Sequence, residues 1–293
     1  MKIRKDSIML LVLFFSLVSF AQVPTLPTTP LEGPAESFGG YSRGCFIGGE
    51  TVLDDEYGMH QMRLKRGRYW GHPETTDYLK QAAIRVRTEL DRDLLLSDIS
   101  QPRGGPFWKS KHVSHQSGLD IDIWFRHIES TDEVLSTYQR ENMWAWSVVK
   151  NNRDLNQELW TQVDIKIAKL LVSDERVTRI LVHPVIKKSL CESGLLTDEE
   201  LRKYRAWYGH TDHYHIRLGC PTTDTNCVNQ APPPEGNGCG AELDWWLAEV
   251  RKTSEGSGGV VETNEQRFMR LLKRLPAKCH EVLEVNVQPF PTL

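Results

Sequence analysis

The chain lacks an apolar run long enough to cross a bilayer comfortably. Its candidate, Ile8–Phe20, falls short of the roughly 20 residues a spanning helix needs. A surplus of positive charge is also missing: 36 Lys and Arg stand against 39 Asp and Glu, a formal net charge of −3. Such a balance gives no basic footprint for nucleic acid, which is excluded as a partner. There is no internal repeat, so a solenoid or propeller array is excluded too. The six cysteines, Cys45, Cys191, Cys220, Cys227, Cys239 and Cys279, are not spaced as a zinc ribbon.

Near the start, Lys2, Arg4 and Lys5 precede the apolar run, and Ser19 and Ala21 offer small residues at a cleavage point. Residues 1–21 therefore read as a secretory signal peptide, with a mature chain starting near Gln22. Removing that segment's net charge of +2 (Lys2, Arg4, Lys5, Asp6) leaves −5 from −3. No cysteine at the cleavage point could accept lipid, so stable membrane insertion after cleavage is not expected. An oxidising destination favours three disulfides. Spacing alone leaves about fifteen pairings open, and only Cys220 and Cys227 lie close enough to suggest a small loop.

Residues 22–36, rich in Pro and Thr, read as an extended lead-in. Beyond them, Arg68–Pro73 reads as a loop, and Thr76 as the cap of a helix from about Asp77 to Leu90. Leu94–Leu96 and Val177–Val182 read as strands, and helices are expected at Thr161–Leu171, from Pro184 to near Cys191, and from about Asn264 to Leu275. Thr197–Glu200 is a capping box, Trp144 and Trp146 are expected in a helix, and Asn151–Asp154 in a loop. Gly104 and Gly105, between Pro102 and Pro106, are expected to let a substrate backbone approach closely. A Ser/Gly-rich break covers Ser254–Gly259. The expected fold is α+β, with a central antiparallel sheet flanked by helices and disulfide-stapled loops.

Two polar constellations interrupt this frame. In His112-Val-Ser-His115-Gln-Ser-Gly118-Leu-Asp120-Ile-Asp122-Ile-Trp124, alternation puts Leu119, Ile121 and Ile123 on one strand face and Asp120, Asp122 and Trp124 on the other. About ninety residues later, in His210-Thr-Asp212-His213-Tyr214-His215-Ile216-Arg217-Leu218, Tyr214, Ile216 and Leu218 face inward and His213, His215 and Arg217 outward. If the strands are antiparallel neighbours, carboxylates and imidazoles meet on one face as a zinc site. Residues two apart on a strand sit roughly 7 Å apart, so an ion with bonds of about 2 Å takes one of each pair and leaves the other beside it.

Against this stand plainer readings. Asp120 and Asp122 can cap loops or pair with Arg217, and Gly104 and Gly105 can be a simple turn. A lone histidine is most often a polar core or surface residue, so His60, His72, His127, His183 and His280 are given no role.

The stretches Ser114–Ile123, Arg68–Pro73, Val177–Ile180 and Asn237–Leu243, together with the histidine pair at 213 and 215, resemble the penicillin-insensitive murein endopeptidases over nearly the whole mature chain. This family belongs to the lysostaphin and D-Ala-D-Ala zinc peptidase group. The resemblance implies one Zn2+ held by His115, Asp122 and His215, with His112 as a secondary contact. It implies His213 as the catalytic partner of the metal and His210 near the substrate or developing charge. The implied disulfides are Cys45 to Cys279, Cys191 to Cys239 and Cys220 to Cys227, giving a single metallopeptidase domain over 37–293 with a C-terminal disulfide-tied extension. The implied reaction is periplasmic hydrolysis of the D-alanyl to meso-diaminopimelate cross-link of peptidoglycan, with Arg103, Arg217 and the tryptophans as candidates to meet the substrate. Further family metal contacts would use an Asp/His pair where this chain has Asn151–Asp154, so a second ion is not expected.

Two other classes remain open. Ser147-Val-Val-Lys150 has the Ser-x-x-Lys pattern of serine peptidases that bind β-lactams, but Ser-Asp-Asn and Lys-Thr-Gly partners are missing. A non-catalytic zinc module that binds cell wall would use the same ligands without a competent base.

Overall fold

A computed structural model describes residues 23–53, 57–252 and 262–286. The expected leader at 1–21 and the Ser/Gly-rich break at 254–259 lie outside those residues. Among the described residues, no helix is long and apolar enough to cross a membrane.

The architecture is α+β, and one mixed sheet of seven strands organises it. Six strands run in the order Tyr204–Ala206, Val177–Val182, His213–Leu218, Asp120–Trp124, Arg92–Leu96 and Met59–Gln61, while Ile128–Glu129 pairs with Arg92–Leu96 off this path. The three inner pairings are antiparallel and the two outer ones parallel. The central antiparallel unit expected from the sequence is thus present, extended at both ends by parallel neighbours.

The aliphatic side of this sheet builds the core. Leu119, Ile121, Ile123, Ile180, Ile216 and Leu218 are buried there with Leu79, Ala82, Ala83 and Val86 of helix Pro73–Leu90 and Ile165, Ala168, Leu171 and Val172 of helix Gln162–Val172. Three buried tyrosines place their hydroxyls on carbonyls of the second helix: Tyr78 on Leu171 (2.9 Å), Tyr204 on Ala168 (2.7 Å) and Tyr214 on Asp164 (2.8 Å). These bonds satisfy polar atoms that burial would otherwise penalise.

Several boundaries differ from expectation. The first long helix begins at Pro73 rather than Asp77, because Pro suits the first helical position and the His72 Nδ1 accepts the Glu74 N–H at 3.1 Å. Thr76 therefore lies inside the first turn, and its hydroxyl bonds Glu50 and the Pro73 carbonyl. The same His-Pro device opens helix Pro184–Glu192. Trp144 and Trp146 are not helical: helix Thr137–Asn142 stops before them, where Met143 turns extended and its carbonyl is taken by Arg63. Helices Ala241–Lys252 and Ala277–Val282 were not anticipated.

Gly104 and Gly105 are buried, and they serve the chain's own packing instead of a substrate. Both have positive φ, a Cβ on Gly104 would lie 2.0 Å from the Gln116 carbonyl oxygen, and one on Gly105 would meet Leu283. Arg103 is likewise committed, donating to the carbonyls of Thr29 and Val282 and to Glu284.

All three implied disulfides are formed: Cys45–Cys279, Cys191–Cys239 and Cys220–Cys227. The first ties the C-terminal helices to strand Arg43–Ile47 around a second apolar cluster containing Phe38, Phe268, Leu272 and Val282, against which Val23 and Leu26 of the lead-in also pack.

Candidate metal centre

On the sheet face opposite the aliphatic core, the register pairs His215 with Asp122, Arg217 with Asp120 and His213 with Trp124. The alternation read from both segments thus places their polar residues side by side. Gly118 turns the chain at positive φ, and His115 itself is left-handed (φ 67°) and fully buried. A β-branched residue would be strained at such a φ. The turn brings His115 back over the carboxylates, as its Nε2 lies 3.3 Å from Asp122 Oδ2.

Around Asp122 the imidazoles converge. His215 Nδ1 is 3.0 Å and His213 Nε2 3.6 Å from Oδ1, and His112 Nδ1 is 3.9 Å from Oδ2. His210 closes the far side, its ring centroid 5.1 Å from that of His213 and 5.5 Å from that of His215. Candidate ligand atoms of His112, His115 and Asp122 lie within 4.8 Å of one another, as do those of His210, His213 and His215. Two ligands of a tetrahedral zinc with bonds near 2.0–2.1 Å are about 3.3 Å apart. The contacts of Asp122 with His115 and His215 match that edge.

Hydrogen bonds fix the ring states. A carbonyl only accepts, so the 2.9 Å contact of His115 Nδ1 with the Ile99 carbonyl puts a proton on Nδ1 and leaves Nε2 as the nitrogen that faces Asp122. Asp212 holds His213 Nδ1 at 2.6 Å, and the Tyr208 carbonyl holds His210 Nδ1 at 2.8 Å. His115 Nε2, Asp122 Oδ1, His213 Nε2 and His215 Nε2 are buried without a hydrogen-bond partner among the described residues. Two of them, His115 Nε2 and Asp122 Oδ1, lie where His215 presents Nδ1, and a cation there would satisfy both, whereas His215 Nε2 faces Asp120.

Asp120 performs both plainer roles foreseen for it. Its Oδ2 accepts the His115 backbone N–H at 3.0 Å, and Arg217 donates to both its oxygens at 2.8 and 3.1 Å. It also stands 3.4 Å from His215 Nε2. Arg217 is thus engaged by Asp120 and, through Nη1, by Gln230.

Charge states follow from this crowding. Burial would raise the Asp122 carboxyl, but His115 and His213 outweigh it and hold it well below the usual carboxylate range. Burial would lower His115, yet the Asp122 charge pushes it up to about 8. His213 is raised on the same balance, helped by Asp212. Burial lowers His112 to about 4, and burial with the neighbouring imidazoles lowers His210 to about 3.

Over residues 37–284 the chain matches the family described as penicillin-insensitive murein endopeptidase. The chain belongs to the penicillin-insensitive murein endopeptidase family. The Klebsiella pneumoniae subsp. pneumoniae protein of that name is 36% identical over 287 residues, covering 97% of this chain and 99% of the relative. The Haemophilus influenzae protein is 36% identical over 221 residues, 75% of this chain and 76% of its own length. An Escherichia coli relative is 35% identical over 287 residues, 97% and 99% of the two chains.

Within this family member, the structure brings together all six singled-out residues: His112, His115, Asp122, His210, His213 and His215. It separates the rest. His60 faces buried Asp93, His72 and His183 cap helices, and His280 bonds the Leu272 carbonyl. The Ser147 hydroxyl donates to the Val149 carbonyl in extended chain, an arrangement unlike a serine nucleophile activated by Lys150. Sequence reasoning missed Asp212 as the partner of His213, although adjacency was its signal. It also missed a cleft of about 620 Å³ running from the histidines past Arg179, Arg205, Trp207 and Trp246. The signal for Arg179 was a cation in an otherwise apolar and β-branched strand.

Proposed function

We propose that this chain is a zinc-dependent murein endopeptidase that hydrolyses the D-alanyl to meso-diaminopimelate cross-link of peptidoglycan in the periplasm, after removal of the leader at 1–21. Residues 37–293 would act as one metallopeptidase domain with a C-terminal disulfide-tied extension. The observation that carries the reading is the convergence of His115, Asp122 and His215 at ligand-edge distances with orphaned buried atoms. Two imidazoles and a carboxylate are a donor set suited to zinc with an open position. His115, Asp122 and His215 would hold the ion, with His112 as a secondary contact. When bound, zinc supplies Lewis acidity and lowers the pKa of water to about 7.

The chain's own groups manage the protons. His213 Nε2, left basic by the Asp212 bond on Nδ1, takes a proton from the attacking water as its oxygen joins the D-alanyl carbonyl carbon. It then passes that proton to the diaminopimelate nitrogen as the C–N bond breaks, and Asp212 stabilises the imidazolium between the two transfers. His210, neutral and protonated at Nδ1, offers Nε2 as an acceptor for a substrate N–H.

Digestion of purified peptidoglycan followed by mass spectrometry of the muropeptides tests the bond, and a chelator should abolish cleavage. His115→Ala, Asp122→Ala and His215→Ala should lose zinc and activity together. His213→Ala should keep zinc and lose about 10²–10⁴-fold in kcat. Metal content beside turnover decides the assignment, and a His213→Ala variant working at the parent rate removes the role given to that residue. A chain that holds zinc and binds sacculi without cutting them would instead be the non-catalytic wall-binding module.

A further inference from the structure

We propose that the arginine corner formed by Arg179, Arg205 and Arg217 is a carboxylate subsite of the cleft, with Arg179 as the cation that engages a free carboxylate of the substrate peptide. The proposal deepens the reading above and rests on it for the nature of the peptide.

The sheet register sets the geometry. Leu181 lies opposite His215, and Arg205 lies opposite Leu181, so Asp122, His215, Leu181 and Arg205 form one row across four strands. Asp120, Arg217 and Arg179 form the next row on the same face. With neighbouring strands about 4.8 Å apart, Arg205 stands roughly 10 Å along the sheet from His215, the reach of about three extended peptide residues. His215, Arg179, Arg205 and Arg217 all line the one cleft.

Local charge does not balance. Asp120 neutralises Arg217, and Glu242 pairs with Arg205. Arg179 Nη2 donates to the neutral Ala231 carbonyl, and its Nε is buried without a hydrogen-bond partner among the described residues. Among the described residues, three guanidiniums therefore meet two carboxylates, and one positive charge is left over. Burial, and after it Arg217 and Arg205, lower the pKa of Arg179. A carboxylate supplies the missing charge and accepts from the planar fork of Arg179.

A cross-linked peptide carries free carboxylates of two origins, on the diaminopimelate unit and at the chain terminus. Three synthetic dimers distinguish them: unmodified, amidated on diaminopimelate, and amidated at the terminus. Calorimetric binding to the zinc-loaded chain, read in a His213→Ala background so that the dimers stay intact, should fall about ten- to a hundredfold for the one amidated form that removes the recognised group. Arg179→Gln should bind that form and the unmodified dimer alike, with KM raised, kcat within about twofold, and Arg179→Lys restoring part of the preference. Equal binding of all three dimers by the parent, or discrimination undiminished in Arg179→Gln, overturns the subsite. Cleavage of all three at one rate leaves the hydrolase reading intact, whereas selective binding without cleavage supports the subsite and removes the hydrolase.

Discussion

At the scale of single residues, neighbouring aspartates divide the work. Asp122 gathers imidazoles, while Asp120 holds Arg217 and the His115 backbone and so fixes where those imidazoles stand. Asp120→Asn would leave the buried Arg217 facing a neutral amide. Breaking a buried pair in this way costs about 3–5 kcal/mol, which a urea titration would read as a lowered midpoint. The metal content of a still-folded variant should fall as well, since the turn carrying His115 loses its anchor. Unchanged stability would mean that Gln230 and Tyr41, which also contact the Arg217 guanidinium, suffice to hold it.

At the scale of elements, the network around Asp93 is the fastening to test. This carboxylate, on strand Arg92–Leu96, accepts from Arg87 of the first long helix, meets His60 of the edge strand at 3.1 Å and accepts the Thr131 N–H. Burial opposes its charge, but those bonds outweigh it and leave its pKa below the usual value. A carboxylate depressed in the folded state stabilises fully above its unfolded pKa of about 3.9 and loses that contribution as pH falls through the folded value. Asp93→Asn should therefore cost about 3 kcal/mol at pH 7, with the gap from the parent shrinking below about pH 4. A gap independent of pH would assign the cost to packing instead. The elements themselves were largely legible: strand Val177–Val182 stands where the apolar and β-branched run put it, and the capping box at Thr197 where the Thr-x-x-Glu spacing put it. Trp144 and Trp146 were misread because tertiary bonds, Arg63 on the Met143 carbonyl and Thr211 on the Val148 N–H, draw that segment into extended form.

Over the whole molecule, Cys45–Cys279 closes a loop of 234 residues and keeps the C-terminal helices on the strand that also contacts Gly104. A long closed loop removes much denatured-state entropy, so Cys45→Ser with Cys279→Ser should lower stability by about 3–5 kcal/mol. Because Arg103 spans Thr29, Val282 and Glu284, proteolysis of the double variant should begin in the C-terminal segment while the zinc content stays at the parent level. Loss of zinc in that variant would show that the site depends on the extension.

Taken alone, the sequence determined which side chains share a polar strand face, because alternation assigns each one to a face before any partner is known: Asp120 and Asp122 to one strand's polar side, His213 and His215 to another's. Only the tertiary structure decided that these faces coincide, that the glycines at 104 and 105 serve the chain's own packing, and that Arg179 is the arginine of its corner without a carboxylate among the described residues. Each of these depends on contacts between residues far apart in the chain, and periodicity is blind to what lies across a strand gap.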